Sequence, residues 1–393
     1  MKKITSFILS LVFMISVFTN VCGGYYDDGI VSAANVDDPQ PFDLDCVSAV
    51  LMDYSTGTVL YDKNGTVPLP PASVTKIMTL LLTMEAIDEG RLELDDMLQV
   101  SEYGASMGGS QVYLEPGETM SVEELIKCVV IASANDAAVT LAEAVAGSES
   151  AFVNTMNERA AALGMNNTSF ENATGLDDTT VNHVTSALDI AIMSRELMKH
   201  PLIFKYSSIW MDSIRNGAFG LTNTNRLVRF YSGATGLKTG STSKAKFCIS
   251  ATACRDNLHL IAVIMGAPTR DVRNEAAKKL LDYGFANYSI YTDDEKDMGK
   301  VKVLRGTTPY CNTTKGTFTA LVSKGEASKV AADISIKSEV DAPVKEGDIL
   351  GEVTYKIDER AIGKCDIVAS QSVESISFFE LLRRMFASFT ASE

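Results

Sequence analysis

A serine and a lysine three residues apart, Ser73 and Lys76, head the apolar run Ile77-Met78-Thr79-Leu80-Leu81-Leu82. Pro70 and Pro71 close the loop before them, so Ala72 onward reads as the first turn of a buried helix. On a helix that spacing puts both side chains on one face. Burial disfavours the ammonium form of a lysine, which frees the amine to take a neighbouring hydroxyl's proton and create a nucleophile. The same spacing recurs at Ser241/Lys244 and Ser243/Lys246, but only Ser73/Lys76 precedes a helix apolar enough to bury the pair.

Two further elements add to this one. Ser133-Ala134-Asn135 is the only S-x-N in the sequence, and it forms a polar break between two apolar segments. Lys238-Thr239-Gly240 is the only K-T-G, and it leads into strand-like sequence. Taken singly, the first is an ordinary helix junction and the second an ordinary strand entry. Their joint occurrence in this order makes coincidence implausible.

The surrounding pattern supplies elements to position them. Strand patterns at 46–52 and 58–61 flank a turn at Ser55-Thr56-Gly57. Helical patterns follow from 73 to about 89, from a capping start at Ser121 to about 131, and over 137–146, 150–163 and 185–199. A polar loop over 172–182 ends near His183. Strand patterns return at 247–253 and 258–265, and an amphipathic helix follows from 271 to about 283. This order predicts a mixed α/β (α+β) domain over 41–288, in which strands from both ends pair in one antiparallel sheet. From 298 to 371, short alternating runs separated by Gly306, Gly316, Gly325 and Gly347 predict a small all-β sandwich domain.

Composition bounds the chemistry. The chain has 393 residues, 46% hydrophobic and 22% charged, enough for two domains and a sizeable core. A formal charge of −15 with no basic cluster argues against a nucleic-acid partner. Three histidines without an H-E-x-x-H, and scattered cysteines without a C-x-x-C, point to no metal site and no cofactor.

The two termini read differently from the rest. Residues 1–34 have the lysine-led start and short apolar core of a secretory signal, so the mature protein is expected to work outside the cytoplasm. In 373–393, Ile376, Phe378, Phe379, Leu382, Met385, Phe386 and Phe389 form one helical stripe with Glu380, Arg383 and Arg384 off it. That pattern predicts an amphipathic helix lying in a membrane surface.

The three motifs together resemble those of the low-molecular-mass penicillin-binding proteins that are D-alanyl-D-alanine carboxypeptidases. The resemblance extends to Ser121-Val122-Glu123-Glu124-Leu125, Asn172-Ala173-Thr174-Gly175-Leu176, Asn223-Thr224-Asn225-Arg226-Leu227 and Leu280-Leu281-Asp282-Tyr283-Gly284-Phe285. The β-rich region and terminal helix also fall where that family carries a β-sandwich and a membrane-associating helix. The implied substrate is a peptidoglycan stem peptide, with β-lactams as acylating inhibitors.

The resemblance also implies roles. Ser73 would attack the carbonyl between two terminal D-alanines, with Lys76 as general base and Ser133 relaying a proton to the leaving amine. Asn135 would hold the substrate's amide backbone, Lys238 would supply positive charge, and Thr239 and Arg273 would take the terminal carboxylate. Gly240 would let the strand approach the substrate closely. Backbone N–H groups of Ser73 and Ser241 would form the oxyanion hole. The chain departs from the family at Lys246, where glycine is usual, and at Thr235, where an acidic residue is common. A class A-like β-lactamase would share the trio but needs an E-x-x-L-N glutamate, absent between the second and third motifs. A catalytically weak wall-binding protein would keep the fold without turnover.

Overall fold

The computed structural model describes residues 42–390; the signal expected over 1–34 lies outside the described residues. The chain divides into two compact units, one running to Tyr291 with Thr319–Lys329, the other comprising Thr292–Phe318 and residues from Val330 onward.

The first unit is built on a five-stranded antiparallel sheet. Its order is Val59–Lys63, Ser48–Asp53, Leu258–Ala267, Lys246–Arg255, Ala234–Thr242. The earliest strand pairs with a late one, Ser48 opposite Met265 through Asp53 opposite Leu260, as the sequence pattern predicts. Both sheet faces are covered, which is why these strands read as almost continuous apolar runs. Alternation still decides the side. Val50, Met52, Val263 and Met265 join the core under the helical block. Ala49, Leu51, Ala262 and Ile264 join Ala277, Leu280 and Leu281 of the Arg270–Asn287 helix on the opposite face.

Lys76–Asp88 is the central helix of the block, buried from Lys76 through Met84. A helix that is apolar on every side belongs in such a position. It does not begin where the sequence pattern suggests. Ala72–Thr75 is a 3₁₀ turn and the α-helix starts at Lys76. Three residues per turn stack positions i and i+3 directly, so the tighter turn aligns Ser73 with Lys76. The stretch from 200 to 230 holds elements too short for periodicity to disclose: Leu202–Ser207, a hairpin of Met211–Ile214 with Phe219–Thr222, and Leu227–Phe230.

The second unit contains a six-stranded sheet in the order Val330–Ile336, Ile349–Ile357, Arg360–Ala369, Tyr310–Lys315, Lys296–Leu304, Glu339–Asp341. Its pairings are antiparallel except the last, which is parallel. Val301, Val303, Cys311, Leu350 and Ala369 contribute to its core. A helix, Phe378–Thr390, closes the described chain.

Candidate active site

Lys76 is fully buried, and three groups surround its amine. Nζ lies 3.0 Å from Ser73 Oγ, 2.6 Å from Asn135 Oδ1 and 2.6 Å from the Thr174 carbonyl oxygen. Burial, reinforced by the charge of Lys238, holds its pKa well below the ordinary lysine value. A neutral amine has two N–H donors and one lone pair. The two carbonyl oxygens can only accept, so they take both N–H groups and leave the lone pair for the Ser73 hydroxyl.

The turn carrying Ser73 is held from several sides. Thr75 Oγ1 lies 2.8 Å from His183 Nε2, while His183 Nδ1 accepts the Glu171 N–H at 2.9 Å. Nδ1 is therefore unprotonated, and Nε2–H donates to Thr75. Burial pushes the His183 pKa down to about 4, which keeps the ring neutral. Asn172 Oδ1 accepts the N–H groups of Thr174 at 3.1 Å and Gly175 at 2.7 Å, turning the chain so that the Thr174 carbonyl faces Lys76. Gly175 has φ +81, and a Cβ there would sit 1.8 Å from the Ala72 carbonyl oxygen, so no other residue fits.

The second motif sits at a backbone irregularity. Ser121 caps the Val122–Lys127 helix by accepting the Glu124 N–H at 3.2 Å. The helix widens into a π turn over Cys128–Ala132 and ends on Ser133 in the left-handed region, φ 63. This release presents Ser133 Oγ to Lys238 Nζ at 2.8 Å. Asn135 opens the next helix, Asn135–Ala146; its Oδ1 faces Lys76 and its Nδ2 donates to the Gly108 carbonyl at 2.6 Å. Both ends of its amide are thus engaged in the free chain.

Lys238, Thr239, Gly240 and Ser241 follow one another on the edge strand Ala234–Thr242. Lys238 is buried, and burial together with the Arg273 charge brings its pKa down to about 7. Its second bond goes to the Thr239 carbonyl at 2.9 Å. Thr239 Oγ1 donates to Thr224 Oγ1 at 2.8 Å. A Cβ on Gly240 would lie 2.9 Å from the Pro71 carbonyl oxygen and 2.9 Å from the Ser73 and Val74 nitrogens. The close approach this glycine allows is therefore to the serine's own turn, which locks strand and turn together.

Arg273, a turn into its helix, is buried; its guanidinium donates to Asn274 Oδ1 at 2.9 and 3.1 Å and to the Cys248 carbonyl at 3.4 Å. A cavity of about 390 Å³ opens in front of Ser73, and Ser133, Thr239, Gly240, Ser241 and Arg273 share its lining. The structure thus brings the sequence-derived residues to one place, with Lys76 and Lys238 buried beside it. Sequence reasoning missed Thr174, His183, Thr224 and Trp210. The Asn172–Leu176 and Asn223–Leu227 resemblances were the available signal for two of them.

The departures at 246 and 235 are accommodated locally. Lys246 takes φ +57, a conformation suited to glycine. Thr235 Oγ1 donates to Thr252 Oγ1 at 2.8 Å within the sheet.

Comparison with known proteins agrees with this geometry. A model of the D-alanyl-D-alanine carboxypeptidase family matches residues 33–269, and one of the penicillin-binding protein 5 C-terminal domain matches residues 285–375. The chain belongs to the D-alanyl-D-alanine carboxypeptidase family. It is 42% identical over 350 residues to D-alanyl-D-alanine carboxypeptidase DacF of Bacillus subtilis (strain 168), covering 87% of this chain and 90% of that one. Penicillin-binding protein 5 from Haemophilus influenzae has a similar structure, with a TM-score of 0.74 at 30% identity over 86% of this chain and 100% of that one. Penicillin-binding protein D2 from Listeria monocytogenes in its ampicillin-bound form covers 63% of this chain and 100% of its own, with a TM-score of 0.57 at 32% identity.

Proposed function

We propose that this chain removes the terminal D-alanine of peptidoglycan pentapeptide stems through an acyl-enzyme on Ser73, and that β-lactams acylate the same serine. The observation that carries this reading is the buried Lys76 amine, 3.0 Å from Ser73 Oγ and without an ion-pair partner among the described residues. Neutral Lys76 takes the Ser73 proton as Oγ bonds to the scissile carbonyl carbon. The oxyanion that forms is met by the backbone N–H groups of Ser73 and Ser241, which the contact at Gly240 keeps in register. As the C–N bond breaks, Ser133 passes a proton to the leaving amine, with Lys238 beside Ser133 as the source of positive charge. The proton that Lys76 took from Ser73 reprotonates Ser133, which returns Lys76 to the neutral amine. Water then cleaves the ester, and its proton returns by way of Lys76.

Thr239 turns its hydroxyl from Thr224 to the terminal carboxylate, and Arg273 supplies opposing charge. Asn135 acts first by orienting Lys76, given that both ends of its amide are already engaged. Turnover of a D-Ala-D-Ala-terminated pentapeptide by the purified protein tests the reading, with Ser73→Ala expected to abolish both D-alanine release and labelling by a fluorescent penicillin. Persistent release by that variant would place the nucleophile elsewhere.

The same proposal places the chain outside the cytoplasm, at a membrane surface. No described helix is long and apolar enough to cross a membrane. The Phe378–Thr390 helix instead exposes Phe378, Phe379, Leu381, Leu382 and Phe386, as a helix lying in an interface would. Deletion of 373–393 should move the protein from the membrane fraction to the soluble one; unchanged fractionation would count against this role.

A further inference from the structure

The cavity in front of Ser73 carries more positive charge than one terminal carboxylate requires. Arg226, Arg270 and Arg273 line it, and no Asp or Glu does. Arg273 is buried and bonded to its neighbours, whereas Arg226 and Arg270 are exposed, and neither has an ion-pair partner among the described residues. Arg195 and Arg229 likewise have no carboxylate partner among the described residues, but most other arginines have one. Arg159 pairs with Glu85 and Glu196, Arg215 with Glu118, Arg255 with Asp282 and Arg305 with Asp341, as a net charge of −15 would lead one to expect.

The two exposed arginines that line the cavity come from separate elements. Arg226 precedes the short Leu227–Phe230 helix, and Arg270 opens the Arg270–Asn287 helix. Trp210 lines the same cavity and is covered on one side by Arg229, 5.7 Å from the ring centroid, which adds an apolar wall. Two exposed guanidiniums facing one cavity can grip a carboxylate through paired N–H groups without giving up an existing partner.

We propose that Arg226 and Arg270 form a subsite for a second carboxylate of the substrate, separate from the terminal carboxylate taken by Thr239 and Arg273. The inference rests on the carboxypeptidase reading of the site. The second carboxylate is either the side chain of the residue immediately before the two D-alanines or the side chain of an acidic D-residue at the very end.

Two matched peptide pairs distinguish these sources. In one, the residue before D-Ala-D-Ala carries a side-chain carboxylate or the corresponding carboxamide. In the other, the terminal residue is D-Glu or D-Gln. One pair should show about a tenfold higher kcat/KM for the carboxylate form, expressed mainly in KM. Added salt should reduce the ratio. Arg226→Gln and Arg270→Gln should each lower it and the double variant bring it to one, while Arg226→Lys keeps part of the preference. Stoichiometric penicillin labelling shows that each variant retains a folded site. A ratio near one in both pairs, or a preference that survives the double variant, would overturn the subsite. Failure to release D-alanine from the carboxamide D-Ala-D-Ala peptide would instead strike the carboxypeptidase reading itself.

Discussion

Lys315 in the β-rich unit and Lys76 in the helical one are both buried, yet their partners differ in kind. Lys315 Nζ lies 3.1 Å from the Asp293 carboxylate and donates to the Asp294 carbonyl at 2.6 Å, a set that suits an ammonium. Lys76 meets two carbonyl oxygens and one hydroxyl, and Lys238 meets one hydroxyl and one carbonyl. Burial is common to all three lysines, so burial alone does not make a base. What sets Lys76 and Lys238 apart from Lys315 is the missing countercharge, and of these two it is Lys76 whose amine lies beside the Ser73 hydroxyl.

Three substitutions sharpen this contrast. Lys76→Met should cost about 10³-fold in the rate of Ser73 acylation by penicillin, measured by stopped flow, since it removes the proton acceptor. Gly175→Ala comes next. Its Cβ would collide with the Ala72 carbonyl and shift the Ser73 turn, so turnover should fall about 100-fold with only the geometry changed. Lys315→Met should leave turnover within about twofold of native. It should lower unfolding stability by about 1–2 kcal/mol, because Asp293 loses its partner but keeps the Tyr355 hydroxyl and some water. Equal loss of activity in Lys315→Met and Lys76→Met would dissolve the comparison.

Much of this arrangement was legible in the sequence because residue identity and spacing encode it. Ser73 and Lys76 were readable as a pair, and the apolar helix behind them predicted burial. Pairing of early with late strands followed from the order of patterns. Other parts had no such handle. The Thr174 carbonyl that orients Lys76 is backbone, so its residue type says nothing of its role. His183 acts one step removed, through Thr75. The 3₁₀ turn differs from an α-helical start by a hydrogen-bond register that side-chain pattern does not report. Gly240 was read as a close approach to substrate, whereas the nearest contact is the Ser73 turn. Arg226 lay within a quoted resemblance, but the absence of an acidic partner is a property of three-dimensional surroundings.

The central claim is that Lys76 is a neutral amine poised to accept the Ser73 proton, and its side-chain protonation state tests that claim most directly. Titration of ¹⁵N-lysine-labelled protein, with the Lys76 signal assigned by its loss in Lys76→Met, should show Nζ titrating well below the ordinary lysine value. An Nζ signal that stays ammonium-like up to the ordinary lysine pKa would contradict it.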